Sequence, residues 1–312
     1  MNRSFKFFLI ALSISVLSGC SKPLYRESEF RMGSFIEVIS NDSRASGIVF
    51  AEFKRLEAIF NLYDESSELS RLNLLGDLVV SQELFDILDK SKKFYELTDG
   101  AFDVTVAPLS LLWKKAISKK QLPQEAFVKI ALTSVGSGYL YLDPKNLKVR
   151  LLKEGGRVDL GGIAKGYAVD CAVAKLKEAH ILSALVNAGG NMFCLGTNGK
   201  KSWSIGIQNP RKAGAVIEQL ELRNKAVSTS GDYEQFFIFQ NKRFSHIINP
   251  KTGYPADTGI VSATVIASDA TTADALSTAC VVLGLQKSGE VLKRFPDVKA
   301  KLVDEHGKIY DL

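Results

Sequence analysis

Apolar positions in the first part of the chain follow a strand pattern and then a helical one. Residues 32–39 have the apolar and polar composition of a strand. The apolar positions after them recur at spacings of three or four residues: Ala45, Val49, Phe53, Leu56 and Phe60. This spacing predicts an amphipathic helix that buries one face.

A second helix and a hairpin are predicted farther along the chain. The helix runs from an N-cap at Ser81 to about Tyr95, and the Thr-Asp-Gly sequence at residues 98–100 ends it. Residues 139–142 and 148–152 have strand character, and the Asp-Pro-Lys-Asn sequence between them favours a turn.

The second half of the chain combines short strands with helices. Residues 185–265 are mostly short apolar runs separated by Gly, Asn and Pro, and a helix is predicted at about residues 270–282. The chain has no repeat, low-complexity stretch or linker. We therefore expect an α+β fold, with a single compact domain of mixed sheets flanked by helices.

The first twenty residues have the pattern of an export signal. Arg3 and Lys6 precede an apolar run at residues 7–16 that is broken only by two serines. A permanent transmembrane helix needs about 20 apolar residues, so this run is too short. The Leu-Ser-Gly-Cys sequence ending at Cys20 resembles the bacterial lipobox, in which the cysteine is diacylated and becomes the first mature residue. The alternative is an ordinary signal peptide with a chance cysteine.

The expected organisation follows from that signal. Residues 1–19 form the signal peptide, residues 20–28 the lipidated cysteine and a tether, and residues 29–312 one domain. Two lipid chains would hold the domain on the periplasmic side of a membrane in a bacterial envelope, the inner membrane being favoured over the outer.

Composition and cysteine usage exclude several classes. With 46% hydrophobic residues and a net charge of +6, the chain is neither disordered, collagen-like nor a membrane bundle. The positive charge is small and dispersed, so no nucleic acid partner is expected. Cys171, Cys194 and Cys280 are odd in number and have no CxxC spacing. They indicate buried apolar residues rather than a disulfide framework or a zinc site.

A glycine-rich turn at residues 158–167 is the first candidate for ligand binding. It leaves a strand and enters a helix that runs through Leu176. Such a turn can hold phosphates, because helix-start N–H groups and Lys165 would attract an anion. It matches neither the phosphate-loop nor the dinucleotide fingerprint, and a tight turn without a ligand is the alternative.

Five further segments concentrate glycine and polar residues: 98–106, 187–191, 228–233, 245–255 and 273–279. The fourth segment places His246, one of three histidines, on a strand that runs into a loop rich in Pro and Gly. The last segment places Asp274 and Thr278 one turn apart on the same face of a helix. A carboxylate and a hydroxyl oxygen are ligands that suit Mg²⁺.

These segments, in this order, resemble those of the ApbE family of flavin transferases, the FAD:protein FMN transferases. The resemblance covers nearly the whole mature chain. It implies a compact α+β unit with the flavin nucleotide in a deep cleft. It also implies a periplasmic lipoprotein that binds FAD and Mg²⁺ and cleaves the pyrophosphate. FMN is then transferred to a Thr or Ser hydroxyl of a target protein, a subunit of a membrane electron-transfer complex, and AMP leaves.

The resemblance assigns roles to individual residues. The FAD pocket is assigned to Met32, Tyr63, Ala101, Phe102, Asp103, Gly161, Lys165, Tyr167 and Ile248. The Mg²⁺ site is assigned to Asp274, Thr278, the backbone carbonyl of Ala164 and, as an option, the Ser277 oxygen. We expect His246 to be the base that takes the proton from the acceptor hydroxyl, since the imidazole pKa suits that step.

Several alternatives stay open. Asn249 and Asn191 occupy places where the family often has Asp, so one or two metal ions could bind. Without the resemblance, a histidine in a strand like that of His246 is more often a core residue. An Asp and a Thr spaced like Asp274 and Thr278 are more often a helix cap and a core hydroxyl. A hydrolase that splits FAD into FMN and AMP, or a lipoprotein that only carries flavin, are the other candidate functions. Phe236, Phe237 and Phe239 are expected to serve core and strand packing.

The lipid anchor gives a first prediction. Cys20→Ser should yield protein without acyl chains, because the thiol is the proposed attachment point. Mass spectrometry of the mature N-terminus measures this directly. A wild-type N-terminus cleaved elsewhere and carrying no acyl chain would remove the lipoprotein assignment.

Overall fold

The computed structural model describes residues 23–212, 214–234, 236–240 and 242–312. The predicted signal peptide and Cys20 lie outside these residues. Within them, the α-helices are α1 Ala45–Phe60, α2 Glu68–Leu75, α3 Gln82–Leu97, α4 Ala107–Ser118, α5 Glu125–Leu132, α6 Ala164–Glu178 and α7 Ala270–Leu292. Two short 3₁₀ turns occupy Val104–Val106 and Ser137–Tyr139.

Fifteen strands are present in the described part of the chain. They are β1 Tyr25–Arg31, β2 Ser34–Ser40, β3 Asp77–Val79, β4 Leu140–Asp143, β5 Lys148–Leu151, β6 Ala184–Ala188, β7 Asn191–Leu195, β8 Trp203–Gln208, β9 Val216–Leu222, β10 Lys225–Gly231, β11 Phe236–Phe239, β12 Lys242–Ser245, β13 Ile260–Ala267, β14 Lys299–Asp304 and β15 Ile309–Asp311.

One large sheet organises the described part of the chain. Its eight strands lie in the order β1-β2-β6-β7-β10-β13-β14-β15, and each neighbouring pair is antiparallel. Smaller sheets are formed by β3-β5-β4, β8-β9 and β11-β12. The described part of the chain combines several antiparallel sheets with separate helices, which confirms the predicted α+β class.

The large sheet is covered on both faces. Helices α1, α6 and α7 pack against one face and enclose the main core. On the other face, Trp203, Ile205 and Leu220 of the β8-β9 pair form a second apolar cluster with Leu185 and Val227 of the large sheet. A strand with core on both sides loses its alternating pattern. This explains why seven of the eight residues of β13 are buried.

The predicted helices and hairpin are confirmed. Helix α1 buries the apolar positions that predicted it. Helix α3 begins where expected, since the Ser81 side chain accepts a hydrogen bond from the Leu84 N–H at 3.3 Å. It ends before Asp99 and Gly100, whose φ values of 53° and 75° are left-handed. Strands β4 and β5 pair in antiparallel register as the turn between them predicted.

The predicted boundaries need three corrections. Residues 25–28, expected in the tether, are part of β1, whose backbone pairs with β2 along its whole length. The strand predicted at residue 32 begins at Ser34, because Met32 and Gly33 form a left-handed turn with φ values of 49° and 74°. Helix α7 extends beyond residue 282 to Leu292, with a non-helical break at Gly284.

Two predictions on thiols and membrane spans can be compared with the described residues. Cys171, Cys194 and Cys280 are free thiols, and the last two are buried as expected, whereas Cys171 is partly exposed. None of the helices that the structure describes has both the length and the apolar character required to cross a bilayer.

Helices α6 and α7 approach each other at the level of their backbones. A methyl group on Gly166 would lie 2.3 Å from the carbonyl oxygen of Ala270 and 2.8 Å from the Asp274 Cβ. The Gly166 N–H donates a 2.9 Å hydrogen bond to Asp274 Oδ2. Only glycine allows this contact.

We expect Gly166→Ala to destabilise the protein by about 1–3 kcal/mol, since overpacking a rigid contact costs about that much. Gly47→Ala is a matched control on the exposed face of α1, where a methyl group meets no atom within 4 Å. That change should stabilise the protein by about 0.5–1 kcal/mol. Urea unfolding followed by circular dichroism measures both. Equal stabilities of the two variants would argue against the close contact.

Candidate active site

All six segments singled out in the sequence meet around one cavity of about 980 Å³. The cavity lies between the glycine turn, the start of α7, the β11-β12 hairpin and the loop before α4. Its volume is near the upper end of the range of about 300–1,000 Å³ found for small-molecule sites. A ligand of dinucleotide size therefore fits its dimensions.

Most of the predicted site residues line this cavity. They are Met32, Tyr63, Ala101, Phe102, Asp103, Gly161, Lys165, His246, Ile248, Asp274 and Thr278. Ala164, Tyr167 and Ser277 are not among the lining residues. Ala164 directly precedes Lys165 in the first turn of α6. The prediction for Ala164 concerned only its backbone carbonyl.

Asp274 and Thr278 occupy the floor of the cavity. Asp274 is 3% exposed, and the Thr278 side-chain oxygen lies 3.3 Å from Ser230 Oγ. The glycine turn passes directly over this point, since a methyl group on Gly162 would lie 3.4 Å from Thr278 Oγ1. The predicted pair of oxygen ligands therefore faces the predicted phosphate turn.

Ser277 has a different environment from its neighbours on α7. Its hydroxyl donates to the Asp274 carbonyl at 2.9 Å and lies 2.7 Å from Ser230 Oγ and 3.2 Å from Ser228 Oγ. It is fully buried between α7 and β10. The optional placement of Ser277 as a metal ligand does not match this geometry, in which its oxygen links a helix to a strand.

Lys165 is the cation around which the acidic groups of the cavity are arranged. Burial raises the pKa of Asp274, while the Lys165 charge and the Gly166 N–H partly oppose that shift. Burial also raises the pKa of Asp159, against the Gly161 N–H and Lys165. The pKa of Glu234 rises to about 7 through desolvation, with Lys165 opposing and Asp274 adding to the rise.

Asp159 and Glu234 were not identified as site residues from the sequence. Asp159 lies in the quoted glycine segment, and its Oδ1 accepts a 2.9 Å hydrogen bond from the Gly161 N–H. An acid two residues before a Gly-Gly pair is the signal that could have identified it. Glu234 follows the 228–233 segment in a loop, and nothing in its local sequence distinguishes it.

The available oxygen donors fit a magnesium ion whose remaining ligands would be substrate phosphates and water. In the described part of the chain, no group of three or more His, Cys, Asp and Glu side chains is arranged to hold a metal. Asp274, Thr278 and the Ala164 carbonyl are hard oxygen donors with one carboxylate among them. Mg²⁺ often binds through one or two carboxylates plus waters and substrate phosphates, which this set permits.

The Asp103 carboxylate lines the cavity, and its hydrogen bonds within the protein stabilise the cavity wall. Its Oδ1 accepts from the Thr105 N–H at 2.8 Å, from the Thr105 hydroxyl at 2.6 Å and from the Ser137 hydroxyl at 2.7 Å. The Ser137 N–H donates to its other oxygen at 3.1 Å. These bonds fix the loop that presents Ala101 and Phe102.

Tyr167 is a core residue in the structure, and this does not match the expected place in the FAD pocket. Its ring is buried and meets Phe60 edge to face with the centroids 5.8 Å apart. Burial raises its pKa. The tyrosine lies on the far side of α6 from the glycine turn because it is two residues past Lys165, and helix geometry turns it toward α1.

The aromatic wall of the cavity differs from the expectation. Phe236 and Phe237 line the cavity, although both were expected to serve only packing. Phe237 does pack, with its ring 4.9 Å from that of Phe244. Tyr63 is 67% exposed at the opening, with the Lys114 ammonium 3.8 Å from its ring centroid.

His246 lies on the cavity wall directly after β12, and its side chain is exposed. The alternative of a buried core histidine is therefore wrong. The two following residues, Ile247 and Ile248, are 6% and 8% exposed and anchor this part of the chain. Asn249 forms a turn, since its side chain accepts from the Lys251 N–H at 2.9 Å, and Asn191 Oδ1 accepts from the Ser228 hydroxyl at 2.5 Å.

Comparison with known sequences gives one consistent result. The sequence model of the ApbE family matches residues 32–302. A FAD:protein FMN transferase of Klebsiella pneumoniae is 31% identical over 92% of this chain and 91% of the relative. A protein of the same name from Treponema pallidum is 34% identical over 82% of this chain and 75% of the relative.

Solved structures agree with the sequence comparison. The crystal structure of the ApbE protein of Thermotoga maritima has a TM-score of 0.85 and 35% identity, covering 92% of this chain and 96% of that one. The flavin transferase ApbE of Vibrio cholerae has a TM-score of 0.81 and 26% identity, covering 93% of this chain and 96% of that one. The chain therefore belongs to the ApbE family.

Proposed function

We propose that the chain is a Mg²⁺-dependent FAD:protein FMN transferase. It moves the FMN part of FAD to a Thr or Ser hydroxyl of an acceptor protein and releases AMP. The observation that carries this proposal is the cavity floor, where the buried carboxylate of Asp274 and the partly exposed hydroxyl of Thr278 lie beside the glycine turn and Lys165. The family and the names of its relatives supply the substrate.

The cavity residues divide FAD binding between polar and apolar contacts. The Lys165 ammonium, which lines the cavity, would attract the pyrophosphate, whereas the N–H groups of Gly161, Ala164 and Gly166 already donate within the protein. Met32, Tyr63 and Phe102, which line the cavity, would contact the flavin or adenine rings. Mg²⁺, held by Asp274, Thr278 and the Ala164 carbonyl, would neutralise the charge that develops on the phosphate oxygens.

The transfer exchanges the phosphoanhydride bond of FAD for a phosphoester bond to the acceptor. The acceptor hydroxyl oxygen forms a bond to the phosphorus of the FMN half, and the bond from that phosphorus to the bridging oxygen breaks. The bridging oxygen leaves with AMP. The hydroxyl proton passes to the His246 imidazole, which is exposed on the cavity wall where an acceptor side chain can enter.

The proposed location is the periplasmic face of a membrane, with Cys20 carrying the lipid. Acceptors are then subunits of membrane electron-transfer complexes.

Incubation with FAD and Mg²⁺, with and without a purified acceptor domain, tests the function. Covalent FMN on the acceptor supports transfer. Free FMN and AMP, formed whether or not the acceptor is present, would show that the protein is a hydrolase. Unchanged FAD would indicate a flavin carrier.

Loss of Asp274 should abolish the metal-dependent reaction. Asp274→Ala removes the one full charge among the proposed ligands, so its effect should exceed that of Thr278→Val. Initial rates of FMN transfer across a Mg²⁺ series measure both, and circular dichroism checks the fold of each variant. Near-normal rates in Asp274→Ala, or wild-type activity that survives EDTA, would contradict the metal assignment.

Loss of His246 should slow transfer while leaving FAD bound. His246→Ala is expected to reduce the transfer rate by roughly a hundredfold or more, since a general base typically contributes about 10² to 10⁴. FAD affinity, measured by flavin fluorescence, should stay near the wild-type value. His306→Ala is the control, because this exposed histidine lies outside the cavity.

The two measurements on His246→Ala separate three roles. Slow transfer with normal FAD affinity supports the base. Unimpaired transfer would show that the imidazole takes no part in the chemistry, and lost FAD affinity would make it a cofactor contact.

A further inference from the structure

Asp170 joins helix α6 to the first turn of helix α7. One oxygen accepts from the Ala270 N–H at 2.7 Å. The other accepts from the Thr271 N–H at 2.8 Å and from the Thr271 hydroxyl at 2.5 Å. A helix leaves its first N–H groups without partners in the helix itself. Here a carboxylate from a different helix satisfies two of them.

The same pair of helices is joined a second time in the opposite direction. Asp274 of α7 accepts from the N–H of Gly166 at the start of α6. Asp170 lies one turn after Gly166, on the face of α6 that meets α7. Each helix therefore caps the N-terminus of the other with a carboxylate, and the two caps lie at either side of the Gly166 contact.

Helix α7 also has a cap of its own. The Asp269 side chain accepts from the Thr272 N–H at 2.8 Å and from the Thr272 hydroxyl at 3.0 Å, and these bonds stay within the helix start. Asp269 and Asp170 thus have the same chemistry at the same helix end. Only Asp170 connects that end to α6.

We propose that Asp170 is a positioning residue for the metal site. It fixes the start of α7, the helix that carries Asp274 and Thr278, against α6, the helix whose first turn carries the Ala164 carbonyl. This inference rests on the proposed function, because it concerns the same metal. Outer groups that orient metal ligands typically change metal affinity by about 10- to 100-fold when they are removed.

The Asp170→Asn substitution tests the connection with little change in volume. An amide has one acceptor oxygen, and its NH₂ group would face a backbone N–H, so at least one of the three bonds is lost. Asp269→Asn is the matched control with the same loss of charge at the same helix end. Thr271→Val is a milder second variant, which removes only the hydroxyl bond and keeps both backbone N–H groups.

Metal affinity is measured with Mn²⁺, which takes the same oxygen ligands as Mg²⁺ and is counted by electron paramagnetic resonance. Asp170→Asn is expected to weaken Mn²⁺ binding by about tenfold or more, and Thr271→Val by less. Asp269→Asn should stay within about twofold of wild type, which is well below the outer-group effect. FAD binding in EDTA should be unchanged in all three, and high Mg²⁺ should restore transfer by Asp170→Asn.

The outcomes separate this inference from the proposed function. Wild-type protein that binds no Mn²⁺ would remove the metal site and this inference with it. Normal wild-type binding with equal affinity in Asp170→Asn would overturn only the positioning role. Equal weakening in Asp170→Asn and Asp269→Asn would also overturn it, since a general effect of charge on the helix end would then suffice. If Asp170→Asn fails to fold, wild-type Mn²⁺ affinity in Thr271→Val would be the contradicting result.

Discussion

The close contact between helices α6 and α7 is the constraint on which the rest of the site depends. Gly166 has no side chain, so its backbone reaches Ala270, and its N–H reaches the Asp274 carboxylate. A larger residue would separate the helices and move the floor of the cavity away from the glycine turn. Because the turn, Lys165 and the start of α6 are continuous in sequence, this one contact sets the glycine turn and Lys165 against the oxygens of Asp274 and Thr278.

The carboxylates of the cavity differ in exposure, since Asp274 is buried, Asp159 is partly exposed and Glu234 is exposed. Desolvation raises the pKa values of Asp274, Asp159 and Glu234, and Lys165 is the cation that lowers all three. Lys114, which also lines the cavity, lowers the pKa of Asp159 as well. Three carboxylates near these ammonium groups would favour a further cation beside them.

Much of the fold could be predicted from the sequence because its signals are local, whereas most of the site residues were assigned through the resemblance to the family. The turn at residues 98–100 and the spacing of Asp274 and Thr278 each depend on a few neighbouring residues. The misassigned residues depend on packing between distant segments. Tyr167 faces Phe60, and Ser277 reaches two serines of β10, so neither orientation could be read from its own motif. Glu234 enters the cavity only because the β10 strand ends there.

The two ends of the cavity have different exposures, and this difference favours transfer over storage of the flavin. The Asp274 carboxylate at the floor is buried, and low exposure to water strengthens electrostatic interactions there. His246 and Tyr63 line the wall and opening of the cavity and are exposed. A carrier needs only to enclose its ligand. A transferase must keep water from the reacting phosphorus and still admit a macromolecular side chain, and a closed floor with an open wall satisfies both requirements.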